Sequence, residues 1–224
     1  MLKKIDEETP SSTELPMLSQ NISLIASGAY SQIFDKFLEF VGIKTLIITD
    51  LDSGKETQIV DKNGHSRTVT VAHPVDGGTL TTNDALLHYY KTPLSKYSGG
   101  NQLDFFTNLS KENKILRNNA GCWESDPNGT LMIVFQTKEK DDYYPRSFED
   151  AFIQINRDFM IAHQDTFESL KNRDKFDEKD ASGKYMHDAY DLATTCVKTN
   201  PLLHLIFCSN SEANETCYLF NWKI

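Results

Sequence analysis

The stretch AYSQIFDKFLEFVGIKTLIITD, residues 29–50, decides the predicted fold. Its first part repeats apolar residues every three or four positions, which predicts a core-facing helix that ends at Gly42. Its second part, KTLIITD at 44–50, is a continuous β-branched run, typical of a strand buried on both faces. The apolar run NISLIA at 21–26 precedes the helix and predicts another strand. A strand, a helix and a strand in succession form a βαβ unit, so we expect an α/β fold with a mostly parallel sheet flanked by helices.

Further strands and helices are predicted after this unit. Two β-rich arms surround Asn63-Gly64, a strong hairpin signal, within an insertion at about 53–80. Thr81 and Asp84 fit a capping box at the start of a helix. The remaining patterns predict helices at 81–91, 144–160 and 184–198, strands at 130–137 and 202–208, and a charged loop at 171–184, while 92–110 is turn-rich and weakly defined.

Length and composition limit the class of protein. The chain has 224 residues, of which 39% are hydrophobic, enough for one sizeable core. We expect one domain at 20–224, mainly helical from about residue 160, after a polar segment at 1–19. The formal net charge of −9 disfavours standalone binding to a polyanion, but it leaves open a nucleic-acid enzyme with clustered carboxylates.

The sequence also indicates where the protein acts. No apolar stretch approaches the roughly 18 residues of a membrane span, and the first residues lack the apolar segment of a signal peptide. We therefore expect a cytoplasmic protein with no membrane contact. No G-x-x-x-x-G-K-[ST] motif occurs, so we expect no ATP site in this chain.

Asp50 and Asp52 follow the predicted strand 44–50 and are separated by one residue. Ligands of open α/β sheets bind at the carboxyl ends of the strands, where these two carboxylates would lie. Two close negative charges repel each other unless a proton or a cation is shared, and Mg²⁺ prefers such oxygen ligands. The alternative is that the motif starts a turn with local Asx-type hydrogen bonds.

A second candidate group is RSFED at 146–150. Ser147 and Asp150 fit a helix capping box, and Glu149 suits the first turn of a helix, so these residues can be purely structural. Alternatively, Ser147 and Glu149 supply two oxygen ligands, and Arg146 contacts a phosphate. Lys184, which lies before a predicted helix, is a weaker candidate for a phosphate contact, since charged runs are usually solvated loops.

Three segments in this order resemble the TOPRIM half of ATP-dependent endonucleases of the OLD (overcoming lysogenization defect) family. They are GAYSQIFDKFLEFVGIKTLIITDLDS (28–53), TTN (81–83) and YYPRSFEDAFIQIN (143–156). The resemblance implies a TOPRIM, Rossmann-like fold and cleavage of DNA with Mg²⁺ or Mn²⁺, normally two ions. It also suggests a role in phage defence.

The resemblance implies roles for individual residues as well. Metal ligands of the family fall on Asp50, Asp52, Ser147 and Glu149. A basic residue further along the family's domain assists the transition state, and Lys184 is the candidate for it here.

Two features of the family are not found in this sequence. One is the N-terminal ATPase domain, and the other is a first strand with E-G-x-x-E, whose glutamates complete the metal site. We therefore expect an incomplete site and weak or no activity of this chain alone. A missing strand would also expose a sheet edge, which invites pairing with an ATPase domain in trans or with a second copy.

Two other functions remain open at this point. The chain can be a non-catalytic interaction or regulatory module that docks an ATPase or nuclease partner. It can also be a phosphate-ester hydrolase or transferase that uses D-x-D on small substrates, although no nucleophile with a downstream lysine and acidic pair is clear.

Overall fold

The computed structural model of the protein describes residues 21–27, 30–138, 142–164 and 170–197. The predicted polar segment at 1–19 and the predicted strand at 202–208 lie outside these residues.

The described chain has a mixed α/β fold. Its helices are α1 (Asp35–Val41), α2 (Asp84–Tyr89), α3 (Lys91–Ser95), α4 (Gln102–Thr107), α5 (Phe148–Ala162) and α6 (Ala189–Cys196). Its strands are β1 (Thr45–Ile48), β2 (Ser53–Val60), β3 (Ser66–Ala72), β4 (Leu80–Thr81), β5 (Ile115–Asn119), β6 (Cys122–Ser125) and β7 (Leu131–Val134). No helix among the described residues combines the length and the apolar character needed to cross a membrane.

The prediction of a mostly parallel sheet is wrong for the described chain. The larger sheet has the strand order β1-β7-β5-β6, and only β1 and β7 in it are parallel. The difference comes from β5 and β6, an unpredicted hairpin that joins the edge of β7 in antiparallel orientation. The smaller sheet, β3-β2-β4, is antiparallel.

The predicted hairpin around Asn63-Gly64 is confirmed. β2 and β3 pair in register from Gly54 opposite Ala72 to Val60 opposite Ser66. Gly64 has a left-handed backbone with φ of 79°, which a glycine adopts without steric cost.

The N-terminal strand of the predicted βαβ unit is not formed. Residues 21–26 are irregular and mostly exposed. No described strand lies beside β1 on the side away from β7, so the pairing predicted for residues 21–26 is not made. The helix after it is confirmed as α1, and Gly42 ends it in the left-handed conformation with φ of 62°.

The apolar face of α1 faces the core only in part, because Leu38 packs against the core and other apolar side chains of the helix are exposed. Phe37 is 52% exposed and Phe40 is 89% exposed. The helix is also attached through Asp35, whose Oδ1 accepts a hydrogen bond from Trp123 Nε1 at 2.7 Å and whose Oδ2 lies 3.0 Å from His88 Nε2. The 3.6-residue period therefore identified an apolar face, and the described residues cover it only in part.

One face of β1 is also more exposed than predicted. Ile47 is buried, whereas Leu46 and Ile48 are 44% and 49% exposed. We use one name, the open apolar face, for three exposed features: the outer edge of β1, its Leu46–Ile48 face and the outer face of α1.

Several helix boundaries differ from the predicted ones. α2 begins after Asn83, whose side chain accepts a hydrogen bond from Leu86 N, and not at a Thr81–Asp84 capping box. The weakly defined stretch 92–110 contains most of α3 and all of α4, and α6 begins five residues later than its predicted start at residue 184. The helix predicted at 144–160 is confirmed as α5, including the Ser147–Asp150 capping box.

The buried apolar side chains form two clusters. The larger cluster joins β1, β5 and β7 to α2 and α4, and many of its aromatic rings meet edge to face, as Tyr90 and Phe106 do. The smaller cluster joins α5 to α6 and to the turns before α6. The larger cluster fixes the carboxyl-terminal ends of β1 and β7, and Asp50 follows the end of β1.

Asn83 is expected to stabilise the fold more than an ordinary helix cap. Besides capping α2, its Nδ2 donates to Thr49 Oγ1 and to Asp50 O, both at 2.8 Å. We expect Asn83→Ala to lower the free energy of unfolding by about 3 kcal/mol, because a cap and two further buried bonds are lost. Asn101→Ala, which removes the exposed cap of α4, is the matched control and should cost about 1 kcal/mol. Urea denaturation of both variants measures the difference, and equal losses would contradict the role of Asn83.

Candidate metal centre

The D-L-D motif lies where the parallel strands β1 and β7 end. The pairing continues one residue past β1, since Thr49 N donates to Val134 O at 3.0 Å. Leu51, between the two aspartates, is fully buried and anchors the motif in the larger apolar cluster. The two carboxylates are therefore fixed at the carboxyl edge of the sheet, as the sequence predicted.

Asp50 connects three parts of the fold. Its Oδ1 accepts a hydrogen bond from the side-chain amide of Gln136, which follows β7, and another from Phe148 N at 2.9 Å. Phe148 N belongs to the first turn of α5, where a helix has backbone donors without intrahelical partners. The D-L-D and RSFED motifs, about a hundred residues apart, are therefore in direct contact.

Asp52 contacts the second motif through its backbone and its side chain. Its amide donates to Arg146 O at 2.9 Å, and its Oδ1 lies 3.3 Å from Arg146 Nη2. Its backbone is left-handed, with φ of 51°, a conformation that is uncommon for residues other than glycine and is found often at functional sites.

The TTN segment holds the backbone of the D-L-D motif. Thr81 Oγ1 donates to Leu51 O at 2.6 Å, and Thr82 N donates to Asp52 O at 3.0 Å. With the bond from Asn83 to Asp50 O, three successive carbonyl groups are fixed by three successive residues. The conformation of the acidic loop is therefore imposed by its neighbours.

Ser147 serves as the N-cap of α5. Its Oγ donates to Asp150 Oδ1 at 2.8 Å, and its amide donates to the same oxygen at 2.6 Å. The capping function predicted for Ser147 and Asp150 is thus confirmed, and the Ser147 hydroxyl proton is used within the cap. Glu149 lies in the first turn of α5, close enough to Asp50 and Asp52 for its charge to raise the pKa of both.

Burial and mutual repulsion make the two aspartates hard to ionise. Burial, followed by the charge of Asp52, raises the pKa of Asp50 to about 6, although the hydrogen bond from Gln136 acts in the opposite direction. Burial also raises the pKa of Asp52, and the charge of Arg146 only partly offsets it. A cation beside both carboxylates would remove this penalty, and perturbed carboxylates of this kind cluster at functional sites.

The donor set suits one divalent cation that keeps part of its water shell. Asp50 and Asp52 are the ligands the arrangement offers, with Glu149 nearby. Among the described residues, no three or more His, Cys, Asp or Glu side chains converge into a group that could hold a metal ion. Mg²⁺ is usually bound by one or two carboxylates together with waters and phosphate oxygens, so two aspartates are compatible with it.

The two basic candidates differ in their surroundings. Arg146 lies in the centre, paired with Asp52, and its Nε donates to Ser53 O at 2.8 Å. Lys184 is exposed in a turn after α5, where its amide donates to Asp180 Oδ1 at 3.0 Å. The contacts described for Lys184 lie within its own turn. The structure therefore does not bring Lys184 to Asp50, Asp52 and Glu149.

Two amide side chains organise this centre, Gln136, which sequence reasoning missed, and Asn83, which it named within TTN without giving it a role. Gln136 follows β7 of the larger sheet, and Asn83 follows β4 of the smaller sheet. Both side chains are almost fully buried. The signal available for Gln136 was a polar residue directly after the apolar run of β7, at the same sheet edge as Asp50.

Compared with known proteins, the chain matches no protein-family model, no curated protein and no solved structure.

Proposed function

We propose that this protein is the TOPRIM-like part of a DNA endonuclease that depends on Mg²⁺ or Mn²⁺. The observation that carries the proposal is the hydrogen bond from Phe148 N to Asp50 Oδ1, which joins the D-L-D and S-F-E motifs in one acidic centre. The resemblance of both motifs to OLD-family nucleases points to a phosphodiester of DNA as the substrate. The chain itself would act in the cytoplasm.

Asp50 and Asp52 would hold the cation, with Glu149 as an additional ligand or as a partner for a bound water. A divalent ion at such a site orients and polarises a phosphodiester and offsets charge in the transition state. Arg146, already paired with Asp52, is placed to contact a phosphate oxygen near these carboxylates. The E-G-x-x-E glutamates of the family are not in this sequence, so we expect weak binding of the ion and weak cleavage by this chain alone.

A calorimetric titration with Mn²⁺ and a plasmid-nicking assay with Mg²⁺ or Mn²⁺ test this proposal. We expect the wild type to bind Mn²⁺ and Asp52→Asn to lose about tenfold or more in affinity, because one of two charged ligands is removed. Glu39→Gln on α1 is the charge-matched control, because Glu39 is exposed and pairs with Lys36. Equal affinity of all three proteins for Mn²⁺ would contradict the site. An unchanged rate of plasmid nicking in EDTA would contradict a metal requirement.

The open apolar face supports a second candidate function, a module that docks an ATPase or nuclease partner. Phe40 and Phe37 on α1 are exposed large apolar side chains, and β1 has no described partner strand on its outer side. Exposed large apolar side chains on α1 are candidates for a protein contact, and unpaired strand edges invite pairing.

Mixing this chain with a full-length OLD-family nuclease discriminates between the two functions. A docking module should change the nicking rate of the nuclease, and Phe40→Ser should abolish the change. Val60→Ser, which removes another exposed apolar side chain at the end of β2, is the control. Robust nicking by this chain alone would contradict a purely non-catalytic module.

A further inference from the structure

We infer that Gln136 is a positioning residue of the proposed metal centre, which fixes the Asp50 carboxylate so that Oδ2 is the oxygen offered to the cation. This inference rests on the proposed function and adds a residue that its two motifs do not contain.

The orientation of the Gln136 amide is determined by its surroundings. Leu51 N can only donate, and it lies 2.8 Å from the side-chain oxygen Oε1 of Gln136. The Nε2 of Gln136 is therefore turned to Asp50, where it donates to Oδ1. A reversed amide would place two donors against each other at Leu51 and two acceptors against each other at Asp50.

Gln136 has little freedom to leave this position. Its side chain is almost fully buried, and its neighbour Phe135 is buried in the larger apolar cluster. Because β1 and β7 are parallel and adjacent, the residues that follow them lie side by side at one edge. The amide thus bridges the two strand ends and contacts the D-L-D motif twice.

Two donors converge on one oxygen of Asp50. The Oδ1 atom accepts from Gln136 and from Phe148 N, which fills its two lone-pair directions. Among the described residues no hydrogen bond reaches Oδ2, so this oxygen is the one left for a cation. Such second-layer contacts orient metal ligands, and their loss typically lowers metal affinity about 10- to 100-fold.

The test compares two glutamines that share one kind of contact. Gln102 Oε1 accepts a hydrogen bond from Thr81 N at 2.9 Å, much as Gln136 Oε1 accepts from Leu51 N, but no carboxylate contact is described for Gln102. Methionine is close to glutamine in size and lacks the amide, so Gln136→Met and Gln102→Met remove matched groups. Affinity for Mn²⁺ is measured by calorimetry on the full chain, and stability by thermal unfolding in EDTA.

We expect Gln136→Met to weaken Mn²⁺ binding at least tenfold and Gln102→Met to leave it within twofold, although both lower the melting temperature. If Gln136→Met does not fold, Gln136→Asn replaces it, because the shorter amide keeps a polar group in the site but cannot span the distance to Asp50. Equal Mn²⁺ affinity of the position-136 variant and the wild type would overturn this inference alone. Failure of the wild type to bind Mn²⁺ would overturn the proposed function and this inference with it.

Discussion

Replacing Asp150 by alanine is expected to lower the free energy of unfolding by about 4 kcal/mol. The Asp150 side chain is almost fully buried. It accepts hydrogen bonds from Tyr143 Oη at 3.0 Å, from Arg146 N at 2.8 Å, and from the amide and hydroxyl of Ser147. The substitution leaves several donors without a partner in a partly buried place, and each costs about 1–3 kcal/mol.

The capping box of α4 provides the matched control for this prediction. Asp104 there accepts from Asn101 N at 2.8 Å, and its side chain is partly exposed, so water can replace the lost bond. We expect Asp104→Ala to cost about 1 kcal/mol in urea denaturation. If the two substitutions cost the same, burial of the Asp150 network does not determine its contribution.

The Asp150 network also bears on how RSFED is interpreted. The sequence left capping and metal binding as alternatives for Ser147, and the structure confirms the cap. Because Asp150 fixes the N-terminus of α5, it also fixes Phe148 N against Asp50. Capping and a metal centre are therefore compatible, with Ser147 and Asp150 building the helix start and Glu149 facing the aspartates.

Local signals in the sequence predicted the elements that local forces determine. The Asn63-Gly64 turn, the apolar run of β7 and the α5 capping box each depend on a few neighbouring residues, and all three are confirmed. The direction of strand pairing depends on contacts between distant segments. The β5–β6 hairpin at 115–125 changed the sheet from mostly parallel to mixed, and its Ala120-Gly121 turn is a weaker signal than Asn-Gly.

Periodicity failed in a different way at α1. It correctly identifies which side of the helix is apolar, but it cannot say which surface covers that side. In the described chain α1 is held by polar contacts of Asp35 and by Leu38, which packs against the core, while Phe37 and Phe40 are exposed. The open apolar face that results is the reason why a docking function remains a candidate.

The candidate centre was predictable only in its charged members. Asp50, Asp52 and Glu149 attract attention because clustered carboxylates suggest a cation. Gln136 and Asn83 carry no charge, and they act through distances that appear only after β1 and β7 are paired. The sequence therefore predicted the candidate ligands, but it did not predict what holds them.

Asp50→Asn is expected to stabilise the metal-free protein and to abolish its proposed activity. Asparagine keeps Oδ1 as an acceptor for Gln136 and Phe148 N, so the local contacts survive. It removes the charge of the buried Asp50 carboxyl group, whose pKa is raised from 3.8 to about 6 in the folded protein. At pH 7.5 the gain in the free energy of unfolding should be about 3 kcal/mol, while metal-dependent cleavage should fall roughly a hundredfold or more.

The sign of this effect follows from proton binding. Between about pH 4 and pH 6 the folded wild type keeps a proton on Asp50 that the unfolded chain has released, so its stability relative to Asp50→Asn falls as the pH rises through this window. Below about pH 4 the two proteins should be equally stable, and above about pH 6 the difference should be constant. Chemical denaturation in EDTA at a series of pH values measures this difference in the free energy of unfolding. Glu39→Gln, which removes an exposed carboxylate, is the control.

Adding Mn²⁺ should separate charge burial from a mere packing effect. If Asp50 is a ligand, Mn²⁺ stabilises the wild type above pH 6 and reduces the advantage of Asp50→Asn, because binding to the folded state adds to its stability. A variant that is more stable at pH 7.5 but still cleaves DNA would show that Asp50 is buried for structural reasons alone. A variant that is less stable throughout would show that the carboxylate is already neutralised by its neighbours, and the electrostatic argument for a cation would then fail.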